Sequence, residues 1–267
     1  MSKIIDCITF FDENFIYDLR YNVIKDFVDY FVVCESKYDH RGKPKKINFD
    51  PDKKYLNTNV KHIVLDKPFP KNTNLWQNQA IQREFILENI DFADEEDYIF
   101  FSDPDEIPNP EILSNFKIKK KYGVLLQNNF NYKFNLFNKD ESPWDGPRVC
   151  KKKNLKSIDY MRHKVLSKNL KYNFYRIDKE RNLEIFENGG WHFNNIMSPE
   201  KISTKLKTFA HTEFSNDKYS SPKIIKKKID QKIDLFDRGN QLIKIDLNHA
   251  FPKYLINNID KYKDWII

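Results

Sequence analysis

The chain has 267 residues, enough to bury one large core or two small ones without disulfides or structural metal. Hydrophobic residues make up 40% and charged residues 32%, with only 6 glycines, a globular balance that excludes disordered and collagen-like classes. Lysine and arginine number 46 against 39 aspartates and glutamates, so the net charge of +7 favours anionic partners, yet it is modest for a dedicated nucleic-acid binder and no nucleic acid is expected.

Residues 4–10 read as a strand, and residues 15–27 carry Ile16, Leu19, Val23 and Phe27 at helical spacing. Residues 28–34 and 60–65 are further apolar strands, residues 74–90 a helix, and residues 98–101 a fourth strand. Strands separated by helices specify the α/β class: a mainly parallel sheet covered on both faces, with ligands at the carboxyl ends of its strands. After residue 121 the texture changes to strand-like runs at 122–130 and 132–137, with Trp144-Asp145-Gly146-Pro147 as a turn. Few helical signals occur there before residue 198, so these runs are expected to add antiparallel strands and a substrate-facing surface. Ser198-Pro199-Glu200 starts a helix with a hydroxyl cap, a proline in the first turn and an acid beside it. Residues 1–220 are expected to form the main domain, with 221–267 a helical segment packed on it.

Cys7, Cys34 and Cys150 are odd in number and far apart, and two lie in apolar strand-like runs, which predicts reduced core thiols. The first residues lack a secretory apolar region, and no stretch of 18 apolar residues occurs, so a soluble cytoplasmic protein is expected. The basic runs at 117–121, 151–153 and 223–228 are short and read as solvated faces.

The segment Asp97-Tyr98-Ile99-Phe100-Phe101-Ser102-Asp103-Pro104-Asp105-Glu106-Ile107-Pro108 carries the chemistry. A buried strand delivers Ser102, Asp103, Asp105 and Glu106 together at its carboxyl end, where Pro104 and Pro108 stop it. Carboxylates so crowded repel one another unless a cation sits among them, and Mg²⁺ or Mn²⁺ holding a phosphorylated ligand fits that need; an acidic turn capping a core strand is the plainer alternative. On the 74–90 helix, Arg83 falls in the middle of the apolar stripe, which directs it either toward Asp103 and a ligand phosphate or into a structural ion pair. On the helix after residue 198, Glu213 falls beside Ile202 on the apolar face, where desolvation would raise it toward the range of a general base. Gly189-Gly190-Trp191-His192-Phe193 joins two permissive glycines to a histidine that either completes the metal site or serves the structure.

These fragments, in this order, resemble glycosyltransferase family 17. The resemblance runs through Asp6 to Glu13 and Arg20, then Val28-Asp29-Tyr30-Phe31-Val32-Val33-Cys34-Glu35-Ser36 and His40-Arg41-Gly42-Lys43-Pro44-Lys45. It continues in Ser102-Asp103-Pro104-Asp105-Glu106-Ile107-Pro108, Gly190-Trp191-His192-Phe193, and Lys205 through Phe209-Ala210-His211-Thr212-Glu213. It implies a GT-A-like, Rossmann-type fold, a nucleotide-sugar donor of the UDP class, transfer of N-acetylglucosamine with inversion, and a divalent metal, Mn²⁺ or Mg²⁺. Carried onto these positions, it places Asp103, Asp105 and His192 at the metal, and Phe10, Glu13, Glu35, His40, Lys43, Arg83, Ser102 and Asp103 around the donor. Animal members carry an amino-terminal membrane anchor, and none is expected from the residues here, which turns the expected acceptor toward a surface polysaccharide, a lipid-linked glycan or another sugar-bearing molecule.

The expected reaction is metal-assisted glycosyl transfer in which a carboxylate takes the acceptor proton: Glu213 first, with Glu106 and Glu187 as alternatives. Trp144, Trp191 and His211 are the candidates for the acceptor side, since flat rings suit sugars. Two rivals stand beside it, a metal-dependent nucleotidyltransferase or phosphohydrolase using the same carboxylates, and a basic anion-binding protein without catalysis.

Overall fold

Mainly apolar runs put three strands in the interior, while a fourth, which carries Lys61, takes the edge of the sheet. The structure, a computed structural model, describes residues 2–55, 58–208 and 215–267. Strands β1 (Ile4–Phe10), β2 (Tyr30–Ser36), β3 (Val60–Leu65) and β4 (Tyr98–Ser102) lie parallel in the order β4-β1-β2-β3. The Asn14–Ile24 helix packs Leu19 and Ile24 with Phe31 and Phe100 on one side, while the Leu75–Leu87 helix sets Ile86 with Cys7, Val32, Cys34 and Phe101 on the other. All three cysteines are buried, unbridged thiols within these layers, as their apolar surroundings predicted.

The second half widens the sheet. It adds β5 (Glu106–Pro108), β6 (Tyr122–Asn131), β7 (Leu136–Phe137), β8 (Trp144–Lys151), β9 (Leu183–Phe186), β10 (Gly190–Asn194) and β11 (Ile243–Lys244). Among the described residues the sheet has eleven strands, and β8 joins its two halves by pairing antiparallel with both β4 and β6. The expected mixed α/β architecture, parallel at its centre with antiparallel additions, is therefore present. Two local expectations change. The 132–137 run is mostly turn, because Tyr132 takes φ +68° and the Lys133 N–H closes on the Asn131 carbonyl, leaving only β7. Trp144-Asp145-Gly146-Pro147 is not a turn but the start of β8, whose Arg148 guanidinium donates back to the carbonyls of Asp145 and Gly146.

Strand β10 pairs parallel with β6 and antiparallel with β5, and the latter register sets His192 opposite Glu106. Gly190 makes this possible. It sits at φ +125°, and a Cβ there would lie 2.1 Å from the Ile107 carbonyl oxygen. The last residues are stitched to the same sheet: the Asn135 side chain donates to the carbonyls of Ile245 and Ile267, and Phe134 donates to that of Trp265. No helix among the described residues is long and apolar enough to cross a membrane.

Candidate active site

The acidic turn rests on a buried cation. Arg20, fully buried on the Asn14–Ile24 helix, donates through Nε and Nη2 to the two oxygens of Asp6 at 2.8 and 2.5 Å. Its remaining donors reach the Ser102 hydroxyl at 2.8 Å and the carbonyls of Glu106 at 2.7 Å and Asp103 at 3.3 Å. A guanidinium presents five donors in a rigid fork, and here that fork holds the main chain of the turn as well as its own counterion. Ser102 is thereby consumed: its side chain is fully buried and belongs to this network rather than to a ligand.

A second arginine stands over the turn. Arg162 donates to Asp103 Oδ2 at 2.6 Å and to both oxygens of Glu106 at 2.8 and 2.9 Å. Glu106 also accepts from Trp144 Nε1 at 2.7 Å and from the Asp103 N–H at 3.2 Å, and its side chain has no exposure. Both of its oxygens are thus engaged twice, which leaves no free acceptor for the acceptor proton that the sequence expectation assigned to it. Burial would raise the Asp103 carboxyl, but Arg162, with Arg83, His192 and Lys205, outweighs it and holds Asp103 down at about 2. Sequence reading passed over Arg162. Its signal was present, since Ser157 caps a turn followed by Ile158, Met161 and Val165 at helical spacing, and the structure forms an Ile158–Lys164 helix there.

Asp105 points the other way. Its Oδ1 lies 3.7 Å from His192 Nε2 and its Oδ2 3.8 Å from Lys205 Nζ, while its carbonyl accepts from the Phe193 N–H at 2.8 Å. Trp144 covers His192 with ring centroids 4.8 Å apart. These groups face a cleft of about 420 Å³ at the carboxyl ends of β1, β2 and β4, where the sheet topology predicted a ligand. The cleft gathers Phe10, Glu13, His40, Asp103, Asp105, Trp144 and His192, seven of the residues singled out from the sequence. It adds Lys45, Glu141, Lys205 and Arg238, which supply charge that sequence patterning did not reveal. An adjoining hollow of about 400 Å³, walled by Phe11, Phe15, Phe193, Met197 and Trp265, shares Glu13, Asp105 and Lys205 with it.

Other candidates fall elsewhere. Arg83 takes the structural alternative: it donates to Asp159 at 2.9 Å, lies 2.6 Å from His163 Nε2, and does not line the cleft. Glu35 is fully buried and accepts from Lys45 and from the N–H groups of Asn48 and Phe49, so it supports Lys45 and meets no donor directly. Lys43 is exposed outside the cleft, and its loop instead turns Lys45 inward. Glu187 is exposed on the turn between β9 and β10. Trp191 is buried, its Nε1 donating to the Ala250 carbonyl at 2.9 Å, which removes it from the acceptor side. His211 and Glu213 lie outside the described residues.

For a divalent metal, the donor set is smaller than expected. Asp103 is committed to Arg162, and no group of three His, Cys, Asp or Glu among the described residues is arranged to hold an ion. Asp105 and His192 remain, with His192 Nδ1 buried and without a hydrogen-bond partner. Two protein ligands suffice for an ion that takes its other oxygens from phosphates and water, and an imidazole suits Mn²⁺ better than Mg²⁺.

The helix that backs the cleft uses amides where an apolar face was expected. Asn74 and Gln77 form a capping box, and Trp76 is left outside, 46% exposed. Inward, Asn78 donates to the His40 carbonyl at 2.9 Å, and Gln82 bridges the Cys34 carbonyl at 3.0 Å and His40 Nε2 at 3.0 Å. Burial lowers the pKa of His40, more than the Gln82 hydrogen bond restores it. The unfolded chain therefore takes up a proton near pH 6.5 that the folded chain resists, so the His40 contribution is present above that pH and is lost as pH falls through the lower folded value. Urea unfolding at pH 7.5 and 5.5 is expected to show stability falling with acidity, by no more than about 1.4 kcal/mol per pH unit from this group. The slope should flatten in His40→Gln; an unchanged slope would remove His40 as its source.

The model of the family described as glycosyltransferase family 17 matches residues 1–265. No curated protein matches the chain. Among solved structures, HddC from Yersinia pseudotuberculosis aligns with a TM-score of 0.38 and 10% identity over 70% of this chain and 90% of that one. The inositol-1-phosphate CTP transferase from T. maritima aligns with a TM-score of 0.37 and 14% identity over 100% of this chain and 99% of that one. Both likenesses are too slight to bear on function.

Proposed function

We propose, from the premise that this chain belongs to glycosyltransferase family 17 and is a glycosyltransferase, that it moves a sugar from a UDP-linked donor to a hydroxyl of a glycan or other sugar-bearing acceptor. The observation that carries this reading is the cleft at the strand ends, where Asp105 and His192 face Lys45, Lys205 and Arg238 around a volume suited to a nucleotide sugar. N-acetylglucosamine as the sugar, and inversion at its anomeric carbon, come with the family resemblance.

Asp105 and His192 are the residues that would hold Mn²⁺ or Mg²⁺ together with diphosphate oxygens, and the ion would supply charge neutralisation for the departing nucleoside diphosphate. Lys205 and Lys45 stand in the same walls beside Asp105 and Glu35, and Arg238 is held by Glu141 and Asp234, so a diphosphate would meet cations already fixed in place by carboxylates. Trp144 and the Glu106–Arg162 pair beneath it hold the acidic turn in shape, so that Asp105 need not reorganise during the reaction.

The acceptor binds in the adjoining hollow, whose Phe11, Phe15 and Trp265 offer flat faces to a sugar ring. Glu13 stands in the wall common to both spaces. Its Oε2 accepts from the N–H groups of Phe11 and Asp12 at 2.7 and 3.0 Å, and burial raises its carboxyl above the usual range despite those bonds and Lys205. That combination of position and raised basicity suits the removal of the acceptor proton, a role in which Glu13 replaces Glu106 and Glu187.

A thermal-shift panel of UDP-, GDP- and CMP-sugars with and without Mn²⁺ tests the donor. Stabilisation rises with the logarithm of ligand over its dissociation constant, so the UDP-sugar should give the largest shift and Mn²⁺ should enlarge it. Free UDP should appear on turnover, whereas pyrophosphate or phosphate would instead identify a nucleotidyltransferase or phosphohydrolase.

A further inference from the structure

Away from the cleft, residues 170–177 hold a cluster of apolar side chains in water. Phe174 is 87% exposed, Ile177 97% and Tyr175 63%, with Leu170 and Tyr172 exposed beside them. Isolated exposed apolar residues are ordinary, but five within eight positions, with the Phe174 and Tyr175 rings 5.8 Å apart, mark a contact surface. The loop is built to display them. Asn169, buried at its base, donates to the carbonyls of Lys164 and Glu180 at 2.6 and 3.0 Å and so ties the two ends together. Ser167 fastens the same base to Asp145 at 2.9 Å, next to Trp144 of the cleft.

The charge around the loop selects its partner. Residues 164–181 contain Lys164, Lys168, Lys171, Arg176, Lys179 and Arg181 against only Asp178 and Glu180. Asp178 pairs with Arg176 at 2.7 Å and with Lys179 at 3.1 Å, while Lys164, Lys168 and Lys171 are exposed. Aromatic and aliphatic tips ringed by lysine and arginine suit a bilayer interface, where rings enter the headgroup layer and cations meet anionic lipid. We propose that the 170–177 loop docks this protein on an anionic membrane surface, with Phe174, Tyr175 and Ile177 inserting between headgroups and the flanking lysines binding lipid phosphates. In conjunction with the glycosyl-transfer reading, on which this clause alone rests, docking beside the cleft makes the acceptor a lipid-carried glycan.

The full-length protein should co-float with phosphatidylcholine vesicles containing about 30% phosphatidylglycerol and not with pure phosphatidylcholine, with binding weakened by salt. F174S/I177S and K168E/K171E should each reduce vesicle partitioning by about tenfold or more while keeping the wild-type unfolding midpoint, because these side chains support no core. A Phe174→Trp variant should show a blue shift and quenching by brominated lipid. Absence of vesicle binding, or binding that both double variants retain, overturns the proposal. Self-association that F174S/I177S abolishes, without lipid binding, would assign the loop to a second copy of the chain and also overturn it. The vesicle assay contains no nucleotide, so it can fail while donor-induced stabilisation succeeds, and the reverse.

Discussion

Asp105→Ala is expected to abolish the Mn²⁺-dependent part of the UDP-sugar thermal shift and to lower kcat/KM by about 10²–10³-fold, equivalent to about 3–4 kcal/mol of transition-state stabilisation. The reasoning is geometric. Asp105 is the one carboxylate of the acidic turn that faces away from Arg162, toward His192 and Lys205, in a space common to both parts of the cleft. Its removal leaves the Arg20 and Arg162 networks intact, so the unfolding midpoint without ligand should stay close to wild type. Glu13→Gln should behave differently, sparing the donor-induced shift while lowering turnover, because a base acts on the acceptor proton and not on the nucleotide. A metal-dependent shift that survives in Asp105→Ala would sink the metal assignment, whatever the fate of activity.

Arg20→Met should cost about 3–5 kcal/mol of folding stability, the usual consequence of leaving a buried carboxylate without its partner. Asp6 is 2% exposed, and among the described residues no second cation pairs with it; the same change also takes the Arg20 donors from the Ser102 hydroxyl and from the carbonyls of Asp103 and Glu106. Urea denaturation measures the loss. Adding Asp6→Leu should recover part of it, since an apolar pair of similar volume needs no counterion, and with Asp6→Leu measured alone the cycle gives the coupling between the two sites. Even where the double variant folds well, activity should remain low, because the carbonyls of Asp103 and Glu106 lose the donors that shape the turn. A cost in the single variant below about 1 kcal/mol would show that Arg20 is not the anchor of this region.

The two arginines explain why some site residues were legible and others were not. Asp103, Asp105 and Glu106 could be found together because four apolar residues and two prolines bracket them within one short stretch of chain. Their separate fates could not. Glu106 is silenced by Arg162, which arrives from a helix 56 positions later in the chain, and the Trp144 indole that shares the carboxylate comes from another strand. Arg83 shows the same limit: the helical wheel turned it inward and left a ligand phosphate and a structural ion pair open, and only the fold supplied Asp159 and His163 as its partners.

Local chemistry by itself determined a good deal here: the alternation of apolar strands and helices, the acidic turn at a strand end, the paired glycines that let backbone approach closely, and the thiols sealed in the core. Each depends on spacing along a few neighbouring residues, where periodicity and backbone sterics act directly. Only the tertiary structure decided which carboxylate meets the cleft, that Lys45, Lys205 and Arg238 line it, and that Phe174 and Ile177 stand in water. Those outcomes turn on which distant charges and surfaces come within a few ångströms, and a linear pattern carries no information about partners that the fold alone brings together.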